Sequence, residues 1–144
     1  MIYKLILYIH IASVILAIGP FFVLIPMVKR LRGMEAEMLK VYLFPFRYAV
    51  QLTKHAGHVL FTTGILLILL GPWSWTAPWM IMTIILLASS LFFLANAFSP
   101  KIRKLTQLGQ DREQTLKELS RSIWIYILLL MAVLWLMVSK PMLW

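Results

Sequence analysis

The chain has 144 residues, of which 62% are hydrophobic and 13% charged, and it contains no cysteine. A soluble domain has about half apolar and about a quarter charged residues, so this composition excludes an ordinary soluble domain and predicts an integral membrane protein. The lack of cysteine excludes disulfides, thiolate metal sites and haem attachment through a CxxCH motif. The formal charge of +9 comes from basic residues that border apolar runs, a pattern typical of membrane topology signals and not of nucleic-acid binding.

Four apolar runs are long enough to cross a hydrocarbon core of about 30 Å, which takes roughly 20 helical residues. A less apolar stretch from Val41 is expected to extend the second helix beyond the membrane, and the segment 106–121 to form a helical extension leading into the fourth. Pro20 and Pro26 are expected to bend or end the first helix. In chain order the spans cover about 3–28, 50–70, 77–98 and 122–139.

Nearly all the charge lies in the two longer connections, those after the first and the third run. The positive-inside rule places both connections in the cytoplasm and both termini outside. We therefore predict an all-α fold, an up-down-up-down four-helix bundle that forms one multi-pass transmembrane domain, residues 1–144, in the cytoplasmic membrane. The short connection after the second run then lies outside, with Trp73, Trp75 and Trp79 in the interfacial aromatic belt.

Gly57, Gly64 and Gly71 recur every seven residues and lie on one line along the second helix. Lines of small residues are typical packing seams of membrane helices. The seam predicts close contact either within one chain or between two copies in a homo-oligomer. Because Gly57 is next to His58, it is alternatively expected to let a flat cofactor approach the helix.

Three histidines lie in the apolar runs, and ionisable residues there are functional candidates by default. His10 is about 10 Å from the outer edge of the first span, and His58 about 18 Å from the outer edge of the second. His55 lies nearer the cytoplasmic surface, beside Lys54. The preferred pair is therefore His10 with His58, although their depths differ by about 8 Å.

Four interpretations of these histidines remain open. In the first, haem b is held between helices by His10 and His58, or by a single imidazole, as axial ligands. In the second, neutral imidazoles hydrogen-bond across helices to Ser13, Thr62, Thr63 or Asn96 and only hold the bundle together. In the third, His55 and His58 lie on one helical face and bind copper. The fourth is proton relay or transport, which the absence of acidic residues inside the spans disfavours.

The haem interpretation assigns roles to further residues. Ser13 or a backbone carbonyl is expected to accept the second imidazole N–H of a ligating histidine, and Gly57 to leave room for the ring. Arg47 and Lys54 lie at the cytoplasmic rim and are expected to pair with the propionates or to reach lipid headgroups. Such a protein would serve electron transfer, haem-linked oxidation or haem handling. Its partner would be a redox protein or a quinone, and whether it is itself an enzyme stays open. The alternative is a non-catalytic accessory subunit or small transporter.

Two blocks of the sequence carry a resemblance to a known family. "LYIHIASVILAIGPFFVLIPMVKRLRG" contains His10, then Gly19, an apolar run and a basic end, while "FTTGILLILLGPW" closes the second span and Trp79 opens the third. This pattern resembles a family of small bacterial four-helix proteins known as predicted integral membrane proteins of unknown function. More distantly, the early histidine and the four spans resemble HemJ-type protoporphyrinogen oxidases, which implies a link to haem, and the membrane domain of CopD-type copper proteins. The chain lacks the intramembrane basic residue of the HemJ pattern, apart from Lys54, so the HemJ activity is not carried over.

Overall fold

The computed structural model describes residues 1–106 and 112–142, and within them the chain forms four long helices and no strand. Each helix contains a segment that is long and apolar enough to cross a membrane. The predicted all-α membrane architecture is therefore confirmed, while the up-down order, the sidedness of the termini and the choice of membrane stay predictions. The helices are α1 (Ile2–Leu31), α2 (Ala36–Leu70), α3 (Pro78–Thr106) and α4 (Arg112–Ser139).

The helices extend beyond the apolar runs on the side of the basic connections. α2 already begins at Ala36, as the expected extension from Val41 requires. α4 begins at Arg112, so the described part of the predicted extension over 106–121 is helical, and 107–111 lie outside the described residues. Charged residues thus sit on continuous helices that project out of the apolar layer.

Proline does not interrupt α1. Pro20 and Pro26 both lie inside this continuous helix, so the expectation that one of them ends it is wrong. A proline removes one backbone N–H, whereas ending the helix inside lipid would leave several backbone groups without a hydrogen bond. The helix ends instead where Gly33 adopts a left-handed φ of 80°, which glycine reaches without a Cβ clash.

The helices pack as two closely associated pairs. α1 packs most extensively on α2 and α3 on α4, and the pairs join through contacts of α2 with α3 and of α1 with α4. In the buried core, the Phe21 ring lies 5.3 Å from the Phe98 ring and 4.4 Å from the Tyr126 ring, measured between centroids. Since lipid provides little hydrophobic drive for helix association, close packing of such rings is what stabilises the bundle.

The glycine seam is used inside the chain. A Cβ on Gly57 would collide with the side chain of Leu91 on α3, and a Cβ on Gly64 would lie 3.4 Å from Cε1 of His10 on α1. These glycines let α2 approach α3 and α1 closely. The end of the Leu91 side chain lies in the space beside Gly57, and the cofactor role expected of Gly57 stays a prediction. The seam is not left free for a second copy.

Candidate functional site

A cavity of about 370 Å³ lies at the end of the bundle where α2 connects to α3, and we call it the tryptophan-end cavity. Its volume falls within the range of small-molecule sites, about 300–1,000 Å³. All four helices contribute to a lining that is mostly apolar and aromatic, with few polar groups. The residues around it include Tyr3, Leu7 and His10 of α1, Phe61, Gly64 and Ile68 of α2, Trp73 of the connection, Trp79, Met80 and Thr83 of α3, Met137 of α4, and Lys140.

His10 is anchored at this cavity by a hydrogen bond between helices. The residue is only 6% exposed, and its Nδ1 lies 3.0 Å from Oγ1 of Thr63 on α2. The Thr63 hydroxyl donates its proton to its own helix, since Oγ1 lies 2.7 Å from the carbonyl oxygen of Val59 and 3.1 Å from that of Leu60. A hydroxyl has one proton, so toward His10 the Thr63 oxygen accepts and Nδ1–H donates.

This bond defines which imidazole nitrogen is available to a ligand. With the proton on Nδ1, a neutral imidazole carries a lone pair on Nε2. His10 lines the cavity. Within the described part of the chain, its ring is hydrogen-bonded to Thr63 through Nδ1 and has a further hydrogen bond to the backbone of Leu60. Histidines that ligate metals have this arrangement, one nitrogen held by a hydrogen bond and the other free to coordinate. Nε2 can equally accept a hydrogen bond from a hydroxyl of a ligand.

Thr63, and not Ser13, holds the second nitrogen of the imidazole. The Ser13 hydroxyl donates to the carbonyl oxygen of Ile9 in its own helix at 2.8 Å, as serine commonly does inside a helix. The role expected of Ser13 is therefore wrong. The sequence signal for the correct partner was the Thr63-Gly64 pair, which places a hydroxyl beside a position with no side chain and so makes room for a ring.

The structure does not bring His10 and His58 together. His58 and His55 are both exposed on the outside of α2. Thr63, which contacts His10, follows His58 by about 8 Å along the helix and is rotated from it by about 140°. His10 and His58 therefore lie at different depths, as expected, and His58 also points away from the side of α2 that contacts His10. This geometry is inconsistent with one iron bound by both histidines. The copper interpretation for His55 with His58 stays a prediction.

The basic residues expected to pair with propionates lie far from the cavity. Arg47 is exposed and Lys54 half-buried, and neither lines it. Lys54 precedes Gly64 by about 15 Å along α2. These residues are thus at the wrong end of the helix for a ligand bound to His10.

Lys140 is the cation at the cavity, and sequence reasoning gave it no role there. It follows α4 with a left-handed φ of 46°. Its Nζ lies 3.8 Å from the ring centroid of Trp73 and 5.7 Å from that of Trp79, within cation–π range. The two indoles meet edge to face, 5.5 Å apart. The two tryptophans were predicted as residues of the aromatic belt. Together with Lys140 they form the part of the cavity lining that we call its mouth.

Comparison with known proteins identifies the family but not the activity. The family model described as "Predicted integral membrane protein (DUF2269)" matches residues 4–141. No curated protein and no solved structure matches the chain, and a relation to HemJ-type or CopD-type proteins is not shown. The matched segment contains His10, Thr63 and Lys140, and it covers nearly the whole chain. The chain therefore belongs to the DUF2269 family of predicted integral membrane proteins, whose function is unknown.

Proposed function

We propose that this protein binds a flat, largely apolar cofactor in the tryptophan-end cavity, that Nε2 of His10 is the ligating atom, and that the cofactor is haem b. One observation carries the proposal. The imidazole of His10 is held by the Thr63 oxygen at 3.0 Å beside a cavity of about 370 Å³, which leaves the Nε2 lone pair for a ligand.

The residues around the cavity suit haem b. An imidazole is a common axial ligand of haem iron, and the apolar and aromatic lining suits the porphyrin ring. Lys140 at the mouth supplies a cation for a propionate. When bound, haem b would supply a redox-active iron. Thr63 would hold the imidazole tautomer, and Trp73 with Trp79 would keep water from the mouth.

Whether a second residue would also hold the haem iron separates the functions considered above. Met80 and Met137 line the same cavity, and a thioether together with a histidine would favour electron transfer. Histidine alone would instead favour haem-linked oxidation or haem handling. Met80→Leu and Met137→Leu distinguish these outcomes by the spin state in the absorption spectrum.

Copper(I) is a second candidate ligand, and a specific observation favours it. One imidazole and two thioethers, from His10, Met80 and Met137, line one cavity, and thioether and imidazole are ligands of copper. The volume of the cavity favours an organic ligand, because a single ion needs its ligands much closer together than the walls of such a space. Metal analysis of the purified protein tests this candidate.

The test is spectroscopic. Protein purified in mild detergent from haem-replete cells, and then titrated with haemin, is expected to show a Soret band and, when reduced, an α band. His10→Ala should remove both bands. His58→Ala is the matched control and should keep them, because His58 is exposed on another face of α2. A wild-type protein that stays colourless after titration, or equal loss in both variants, would overturn the proposal and leave His10 a structural link between α1 and α2.

A further inference from the structure

The outside of α2 carries a line of four polar side chains, which we call the polar row: Gln51, His55, His58 and Thr62. All four are exposed, at spacings of four, three and four residues. Such spacings place them on one side of a helix. The row is about 17 Å long. The same line continues toward the tryptophan end with the exposed apolar residue Leu66.

The polar row lies where lipid would surround a single copy of the chain. His58 is about 18 Å from the end of α2, near the middle of a hydrocarbon core of about 30 Å. The Thr62 hydroxyl donates to the carbonyl oxygen of His58 at 2.9 Å, within its own helix. Lipid chains cannot donate or accept hydrogen bonds, so side chains of this kind in a span normally face protein or a water-filled cavity.

We propose that a second copy of this chain covers the polar row, with the two α2 helices packed row against row. Imidazole and carboxamide groups both donate and accept hydrogen bonds, so the row is complementary to itself without requiring a partner of opposite charge. A two-fold axis normal to the membrane brings each residue of the row close to its own symmetry mate. Polar side chains of this kind promote association of helices in membranes.

This dimer is independent of the proposed cofactor. His58 lies on the outside of α2 and does not line the tryptophan-end cavity. The glycine seam that was expected to join two copies packs instead against Leu91 and His10 within the chain. The polar row therefore replaces the seam as the surface for a second copy, and none of its four residues lines the cavity.

Cysteine cross-linking gives a direct test, because the chain has no native cysteine. Thr62→Cys places one thiol on the polar row, and Ser89→Cys places one on the exposed side of α3 as the control. Mild oxidation in native membranes is expected to yield a disulfide-linked dimer of the Thr62→Cys variant and none of the Ser89→Cys variant. No dimer from Thr62→Cys, or equal dimer from both variants, overturns the proposal.

The strength of association gives a second test that does not depend on cross-linking. His58→Leu replaces the imidazole by a side chain suited to lipid, so the monomer should keep its helix content and thermal stability. The dimer dissociation constant in lipid nanodiscs or bicelles is expected to rise roughly threefold to tenfold. Val59→Leu, at the adjacent exposed apolar position, should leave it unchanged. An unchanged constant in His58→Leu, or a wild-type chain that stays monomeric and binds a different protein, overturns the proposal.

Discussion

Removing the Thr63 hydroxyl tests the contact on which the candidate site depends. Thr63→Val keeps the shape of the side chain but removes the oxygen that accepts from Nδ1–H of His10 at 3.0 Å. The buried imidazole then has a donor without an acceptor. Interhelical hydrogen bonds in membranes contribute about 0.6–2 kcal/mol, and an unsatisfied buried donor costs about 1–3 kcal/mol. We expect Thr63→Val to lower the free energy of unfolding by about 1–2 kcal/mol.

A double-mutant cycle isolates this contact from other effects of the substitution. In a His10→Leu background no imidazole is present, so Thr63→Val should cost less than about 0.5 kcal/mol and the coupling energy should be about 1 kcal/mol. Thr63→Ser retains the oxygen and should be close to wild type. Ser89→Ala is the control, because the Ser89 hydroxyl donates within its own helix to the carbonyl oxygen of Ile85, and it should change stability little.

The assay is reversible unfolding in mixed micelles, followed by circular dichroism as the fraction of denaturing detergent rises. Equal costs of Thr63→Val in the two backgrounds would refute the assignment of Thr63 as the acceptor for His10. The same variants bear on the proposed cofactor, since loss of the hydrogen bond that holds a ligating imidazole typically lowers metal affinity about 10–100-fold. Haemin titration of Thr63→Val therefore reports the functional consequence of the same bond.

Three further predictions concern packing and the cavity. Phe21→Ala removes a fully buried ring in contact with two others and should lower the free energy of unfolding by about 3–5 kcal/mol. Phe22→Ala, at a position that is 52% exposed, should lower the free energy of unfolding far less in the same assay. Gly64→Leu adds a side chain to the cavity lining beside His10 and should abolish haemin binding. Gly19→Leu, where no atom lies within 4 Å of an added Cβ, should bind haemin like wild type. Lys140→Gly relieves a left-handed φ of 46° but loses the cation–π contacts with Trp73 and Trp79. The two effects have opposite signs and are each about 0.5–1 kcal/mol, so the free energy of unfolding should change little. Haemin binding should weaken because the cation at the mouth is lost, and unchanged affinity would contradict the role of Lys140.

The positions of the spans were determined by the sequence alone. A membrane helix must be apolar over a length set by the bilayer, and both properties are local. The extension of α2 and the described part of that of α4 were predictable from local sequence as well, and Pro45 lies inside the extension of α2 without ending it. The expectation that Pro20 or Pro26 ends α1 was wrong, because the cost of a proline inside a helix is smaller than the cost of ending the helix in lipid.

The partners of the histidines were decided by tertiary structure. Depth follows from residue counting, so the separation of about 8 Å between His10 and His58 was predictable. The direction in which a side chain points depends on the rotation of its helix, which changes by about 100° per residue and is set by packing with the other helices. Thr63 and Gly64 face His10 while His58 faces outward, because close packing of α2 on α1 and α3 turns the glycine seam inward and leaves the polar row outside.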